Sequence, residues 1–339
     1  MIGNSHDATD VRWTARSMSA LVDERPVTIT AARPTRTWAE RLWTGQSPTG
    51  KFWIAIAPAL ALYGVFTIYP MIQVVIASFT DAKGFNRPWE FVGLDNFVRI
   101  FSGDPDLMQA VGNTAIYAFF KIIVQTVLAF LIAVLLHRQL RLGNIYRAIF
   151  FAPMVISPVA IVFTWSFMYD PTSGTFNTIL NSIGLGALAQ DWLGNYDLAL
   201  YSVILVDMWS GLGFNIVIFL AGLSTIPSEI LEAAKVDGAR GWKSLRYITL
   251  PLMIPSIGLV LVLAVNGALR AFDTVYLMTK GGPGNSTQLY MTKVFQEGLV
   301  NNNFGYASAM AVLVIIVLIA IAAMQNRLNN RIAEEEGSR

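Results

Sequence analysis

The sequence predicts an all-α integral membrane protein with six transmembrane helices. Apolar runs lie at about 53–78, 112–136, 146–169, 198–222, 253–277 and 306–326, and each suffices for a bilayer core that takes ~20 helical residues. Composition agrees: 54% of the chain is hydrophobic and only 14% charged. The runs also lack the two-residue alternation of a barrel strand, and a helix satisfies every backbone group within lipid.

Residues 1–51 precede the first run and mix Arg12, Arg16, Arg25, Arg33, Arg36 and Arg41 with acids and prolines. They read as a mostly disordered cytoplasmic tail, with a short interfacial helix at Trp38–Trp43. This stretch has no apolar run, so no cleavable signal is expected, and the first span acts as an uncleaved insertion signal. The division that follows is 52–107 for the first span and its outer loop, 108–326 for a core of five spans, and 327–339 for a C-terminal tail. Of the 24 Lys and Arg residues, 17 fall in segments that are cytoplasmic if the N-terminus is inside, and 5 in the outer loops. The positive-inside rule therefore puts both termini and the 226–256 loop in the cytoplasm of a cell membrane protein.

That loop does not read like a plain connector. Pro227 before Ser228–Asp237 and Gly238 after it punctuate a short helix. On a 3.6-residue period Ile230, Ala233 and Ala234 share a face, opposite Glu229, Glu232 and Lys235. A second short helix, Arg240–Thr249, puts Trp242, Leu245 and Ile248 on one stripe and Arg240, Lys243 and Arg246 on another. Pro251 is expected to stop it. Such an apolar and basic hairpin suits either a partner's groove or the lipid headgroups.

No motor of its own is visible. There is no G-x-x-x-x-G-K-[ST], no H-E-x-x-H and no cysteine, and the two histidines, His6 and His137, are far apart. No carboxylate pair or nucleophile–base set stands out. The expectations are accordingly no catalytic residue, no metal and no nucleic acid partner, with energy supplied by another chain or an ion gradient.

The order Glu232-Ala233-Ala234, then Gly238, Ile248 and Leu250-Pro251 resembles the EAA motif of ATP-binding-cassette importer permeases without a mismatch. From about residue 52 onward the chain is similar to the maltose-type carbohydrate permease family, and within it to the MalF-like half. Pro58 through Pro70 to Ser78, Phe91–Phe97, Asn113-Thr114, Arg147–Pro158 with Trp165, Leu220–Leu223, Phe272–Tyr276, Gly281–Pro283 and Gly305–Ala309 carry the likeness, in the family's order. It departs in its long N-terminal tail, its short first outer loop and its six rather than eight apparent spans. The resemblance implies the type I importer permease fold with a cytoplasmic EAA coupling hairpin. It also implies a heterodimer with a second homologous permease, two ATPase subunits holding ATP and Mg below, and an extracytoplasmic solute-binding protein above. The solute would be a di- or oligosaccharide, polyol or glycerol-phosphate. On this reading Glu232, Ala233, Ala234, Asp237, Gly238, Trp242, Leu250 and Pro251 form the ATPase-coupling site. Gly238 makes the turn, Glu232 a polar contact at the dock, and Trp242 anchors the second helix. A secondary transporter driven by an ion gradient is the alternative, but it would show internal repeats and broken paired helices.

Charged and polar side chains inside spans are costly and mark candidate paths. Lys121 faces an aqueous path, snorkels, or pairs structurally. Arg270 and Asp273, three apart near the outer end of the fifth span, pair with each other or bind solute. Asn215, Asn266, Trp165 and Trp209 are the types that bind a sugar, by hydrogen bonds and stacking, and equally the types that pack between helices. Gly281–Asn285 reads as a turn leaving the fifth span.

Overall fold

The computed structural model describes residues 48–84, 88–137 and 143–337. The expected tail helix at Trp38–Trp43 lies outside them. Regular structure among the described residues is helical, apart from two isolated β-bridges, Thr80–Phe91 and Lys83–Asn303. Residues 1–64 form one unit, whose described part is α1 (Pro48–Tyr63). Residues 65–339 form the other and hold everything discussed below.

The second unit begins with α2 (Tyr69–Ala77) and the short α3 (Asp95–Phe101). Next, α4 (Pro105–Phe119) starts on Asp104, whose carboxylate accepts from the Asp106 and Leu107 amides at 3.1 and 3.4 Å. Pro105 follows at the first helical position, where its missing N–H costs nothing. Through a π turn at Phe120–Val124, α4 continues into α5 (Gln125–His137). The result is one 33-residue apolar span, Pro105–His137, longer than the expected 112–136.

The expected third span is not a straight helix. α6 (Gly143–Val155) and α7 (Pro158–Met168) meet at a bend of 103°. Pro158 forces Ser157 out of the helical region, to φ −56° and ψ 134°, so the break is written into the proline. Among the described residues, five helices are long and apolar enough to span, and six only if this bent pair counts as one.

After α8 (Thr175–Ser182) comes the central helix, α9 (Ala199–Ser224). Its Ile216, Phe219 and Leu223 pack with Ala129, Phe130 and Ala133 of α5, with Phe130 and Phe219 edge to face at 5.5 Å. Glycines on α9 permit close crossings: a Cβ at Gly213 would meet the Phe150 carbonyl of α6 at 2.5 Å. This is the small-residue packing expected where no hydrophobic drive separates helix from lipid.

The 226–256 loop holds α10 (Ser228–Val236), α11 (Trp242–Ser244), a π turn at Leu245–Thr249, and α12 (Leu250–Leu252). Pro251 does not stop this segment as expected. It sits in the first turn of α12, after the π turn has already changed the hydrogen-bond register. α13 (Ile254–Leu269) follows, then α14 (Asp273–Thr279), α15 (Tyr290–Phe295) and α16 (Phe304–Gly337).

The segments between these helices are stitched by buried polar contacts. Asn96 Nδ2 donates to the Ser78 and Thr80 carbonyls, and Asn113 Nδ2 to those of Asn285, Ser286 and Gln288. The Tyr290 amide donates to Thr114 Oγ1 at 2.8 Å. Buried Lys293 pairs with Glu297 at 3.2 Å and reaches Asp106 at 3.4 Å, while Asn303 Nδ2 donates to Glu297 Oε2 at 3.0 Å. Burial opposes the charge on Glu297, but the bonds from Asn303, Lys293 and Asn301, together with the lysine charge, outweigh it and hold its pKa below the ordinary value.

Candidate functional site: a charged cavity and an exposed hairpin

Between α4, the bent pair, α9 and the α13–α14 break lies a cavity of about 560 Å³. The break itself falls at Arg270–Phe272, where Phe272 leaves the helical region at φ −146°. Lys121 projects into this space from the π turn in the second span, and such turns recur at functional sites because they re-aim one side chain.

Lys121 Nζ donates to Asp207 Oδ2 in a close ion pair, and Thr274 Oγ1 donates to Asp207 Oδ1 at 3.1 Å. Tyr117, buried on α4, brings its hydroxyl near the same carboxylate. Three residues from two other spans thus converge on one acid at the cavity wall. Gly211, one turn along α9 from Asp207, makes room for them: a Cβ there would stand 2.9 Å from Gln125 Nε2 and 3.5 Å from Lys121 Nζ.

Of the path residues expected from sequence, Lys121, Asn266, Arg270 and Asp273 line this cavity. Lys121 is paired rather than snorkelling. Arg270 and Asp273 do not pair; the ion pairs among the described residues are Lys121–Asp207, Lys293–Asp106 and Lys293–Glu297. Arg270 ends α13 and Asp273 begins α14, so the helical spacing that would join them is broken. Asn266 Nδ2 donates to the Val262 carbonyl of its own helix at 2.9 Å. The other three stand elsewhere. Asn215 is buried within α9. Trp165 and Trp209 pack on each other at 5.4 Å, and Trp165 also meets Tyr169 and Phe176 in an aromatic cluster. Sequence reading missed Tyr117, Asp207 and Thr274. Asp207 carried a usable signal, being an acid inside an apolar run, the same reason that singled out Lys121.

The second candidate region is the hairpin. α10 ends in a Schellman-type turn, with the Ala239 amide donating to the Ala234 carbonyl at 2.8 Å and Gly238 at φ +79°. Glu232, Ala233, Asp237, Gly238 and Pro251 are exposed, whereas Ala234 is buried and Leu250 packs on the α5–α9 core. Trp242 does not anchor the second helix within this chain: it is 72% exposed, and Val236 and Tyr247 are exposed at 87% and 72%. Leu245, the next member of its stripe, takes the packing position instead.

Residues 125–334 match the family model described as the binding-protein-dependent transport system inner membrane component. The chain belongs to this family of ABC importer permeases. It is a multi-pass membrane protein. The multiple sugar-binding transport system permease protein MsmF of Streptococcus mutans is 33% identical over 82% of this chain and 95% of its own length. The sn-glycerol-3-phosphate transport system permease protein UgpA of Brucella suis is 33% identical over 80% and 92%. The crystal structure of a bacterial ABC transporter involved in alginate import includes a chain of the same fold, with a TM-score of 0.74 at 24% identity, covering 86% of this permease and 99% of that chain.

Proposed function

We propose that this permease forms half of the path of an ATP-driven, binding-protein-dependent importer for a carbohydrate-class solute. The observation that carries this reading is the cavity: charged and hydrogen-bonding groups gathered inside a bundle of apolar helices, where polar side chains are costly unless they serve a path. MsmF and UgpA, named for sugar and glycerol-phosphate transport, support the solute class.

The other half of the path comes from a second homologous permease. Two ATPase subunits bind ATP and Mg, and this chain holds no cofactor. An extracytoplasmic binding protein delivers the solute; a bacterial alginate ABC transporter of the same fold forms a complex with its pentasaccharide-bound periplasmic protein. The excess of Lys and Arg in alternate loops supports cytoplasmic termini and a cytoplasmic hairpin. There the exposed Glu232, Ala233 and Gly238 dock on an ATPase, with Val236, Trp242 and Tyr247 as the apolar contact. ATPase closure moves the hairpin as a rigid body and turns the cavity from one side of the membrane to the other.

The test is uptake by proteoliposomes that hold this chain with its neighbouring permease, ATPase and binding-protein partners, against a panel of saccharides, polyols and glycerol-phosphate. ATP-dependent accumulation of one solute is expected. Uptake driven by an ion gradient without ATP would overturn the reading.

A further inference from the structure

We infer that Asp207 is a specificity-determining residue: by pairing with Lys121 it leaves this chain's cavity wall without net charge and reserves the path for uncharged polyhydroxy solutes. This rests on the proposed function and narrows it, excluding the glycerol-phosphate option.

The charged side chains on the wall are Lys121, Asp207, Arg270 and Asp273, two of each sign. Arg270 and Asp273 are exposed, whereas Lys121 and Asp207 keep only 18% and 16% of their side-chain surface. Unpaired charge has its largest effect on a bound solute where water is excluded, so the inner pair decides the wall's preference. Asp207 is occupied on both oxygens, by Lys121 on Oδ2 and Thr274 on Oδ1. Held between these partners at 16% exposure, it acts as the counter-ion of Lys121. Without it, Lys121 and Arg270 would present two positive charges against the single exposed Asp273, a wall suited to phosphates and sugar acids. With it, the wall offers the Ser210 and Thr274 hydroxyl oxygens as acceptors and the remaining capacity of the Asn266 amide, which suit neutral hydroxyls. The absence of a side chain at Gly211 keeps Lys121 within reach of the acid.

The test uses the assembled importer in lipid nanodiscs without its binding protein, so that the delivery protein's own selectivity plays no part. Equilibrium binding of radiolabelled glucose, glucuronate and glucosamine is measured. Wild type is expected to prefer glucose, and Asp207→Asn to move the glucose-to-glucuronate ratio about tenfold toward the acid. Lys121→Met is expected to move selectivity the other way, toward glucosamine. It also keeps the question open to an answer if Asp207→Asn fails to assemble. The double change Lys121→Met with Asp207→Asn is expected to return the ratio to the wild-type value. An unchanged ratio in either assembled single variant, or a wild-type preference for glucuronate, would overturn the inference while leaving the importer reading intact. A wild-type importer that binds and transports none of the saccharides would overturn both.

Discussion

The cavity-facing and packing side chains should separate under mutation. Asn266 lines the cavity and spends its amide N–H on its own helix, so truncating it removes a polar group from the wall without emptying a core. Asn266→Ala is expected to raise the KM for uptake about fivefold, the loss of roughly 1 kcal/mol of hydrogen bonding, with assembly unchanged. Trp165 is held by Trp209, Tyr169 and Phe176. Trp165→Ala is expected to cost about 3 kcal/mol, seen as a lower melting temperature, with the KM preserved. Trp165 and Asn266 looked equivalent in sequence, because residue type states what a group can bind and not which side of a helix pair it faces. Lys121 was legible as a costly charge in an apolar span. Its partner lies 86 positions away on another span, and only the fold brings the two together.

Two elements respond to separate probes. Buried Glu297 joins α15 to the segment that leads into α16. Its pKa is held below the ordinary value, so its contribution to stability is full above the unfolded value of about 4.5 and is lost as pH falls through the lower folded value. The melting temperature is expected to drop across that acidic window in wild type and to change less there in Glu297→Gln, as thermal unfolding in detergent would record. At the hairpin, Gly238 sits at φ +79° with open space around it, so the constraint there is the backbone and not crowding. Gly238→Pro or Glu232→Lys is expected to reduce transport by about tenfold or more through lost docking while the chain still inserts, measured by uptake against membrane content. Normal uptake in both variants would remove the docking role. The two short helices and the turn were legible from punctuation and period. The helical run through Pro251 was not, because a π turn leaves no signature in apolar spacing. The bend at Ser157–Pro158 was legible in the proline yet hidden by an apolar run long enough to read as one span.

Across the whole molecule, three of the stretches that carried the family likeness are structural fasteners. Phe91 and Thr80 form a bridge near Asn96, Asn113 binds three carbonyls of the 285–288 segment, and Gly305 has no room for a Cβ against the Thr80 carbonyl. Soft, scattered motifs can identify a fold in this way, since these three mark places where distant segments are tied. The solute could not be read this way, since selectivity depends on charge balance across spans. If the 226–256 hairpin couples an ATPase to the cavity, hydrolysis must respond to solute through it. ATP hydrolysis by the reconstituted importer, with and without solute-loaded binding protein, in wild type and Gly238→Pro, reads that coupling without an intermediate step. Stimulation in wild type and its loss in the variant, with the subunits still co-purifying, is the expected result. Equal stimulation in both, or an ATPase that never associates with this chain, would rule out coupling through the hairpin.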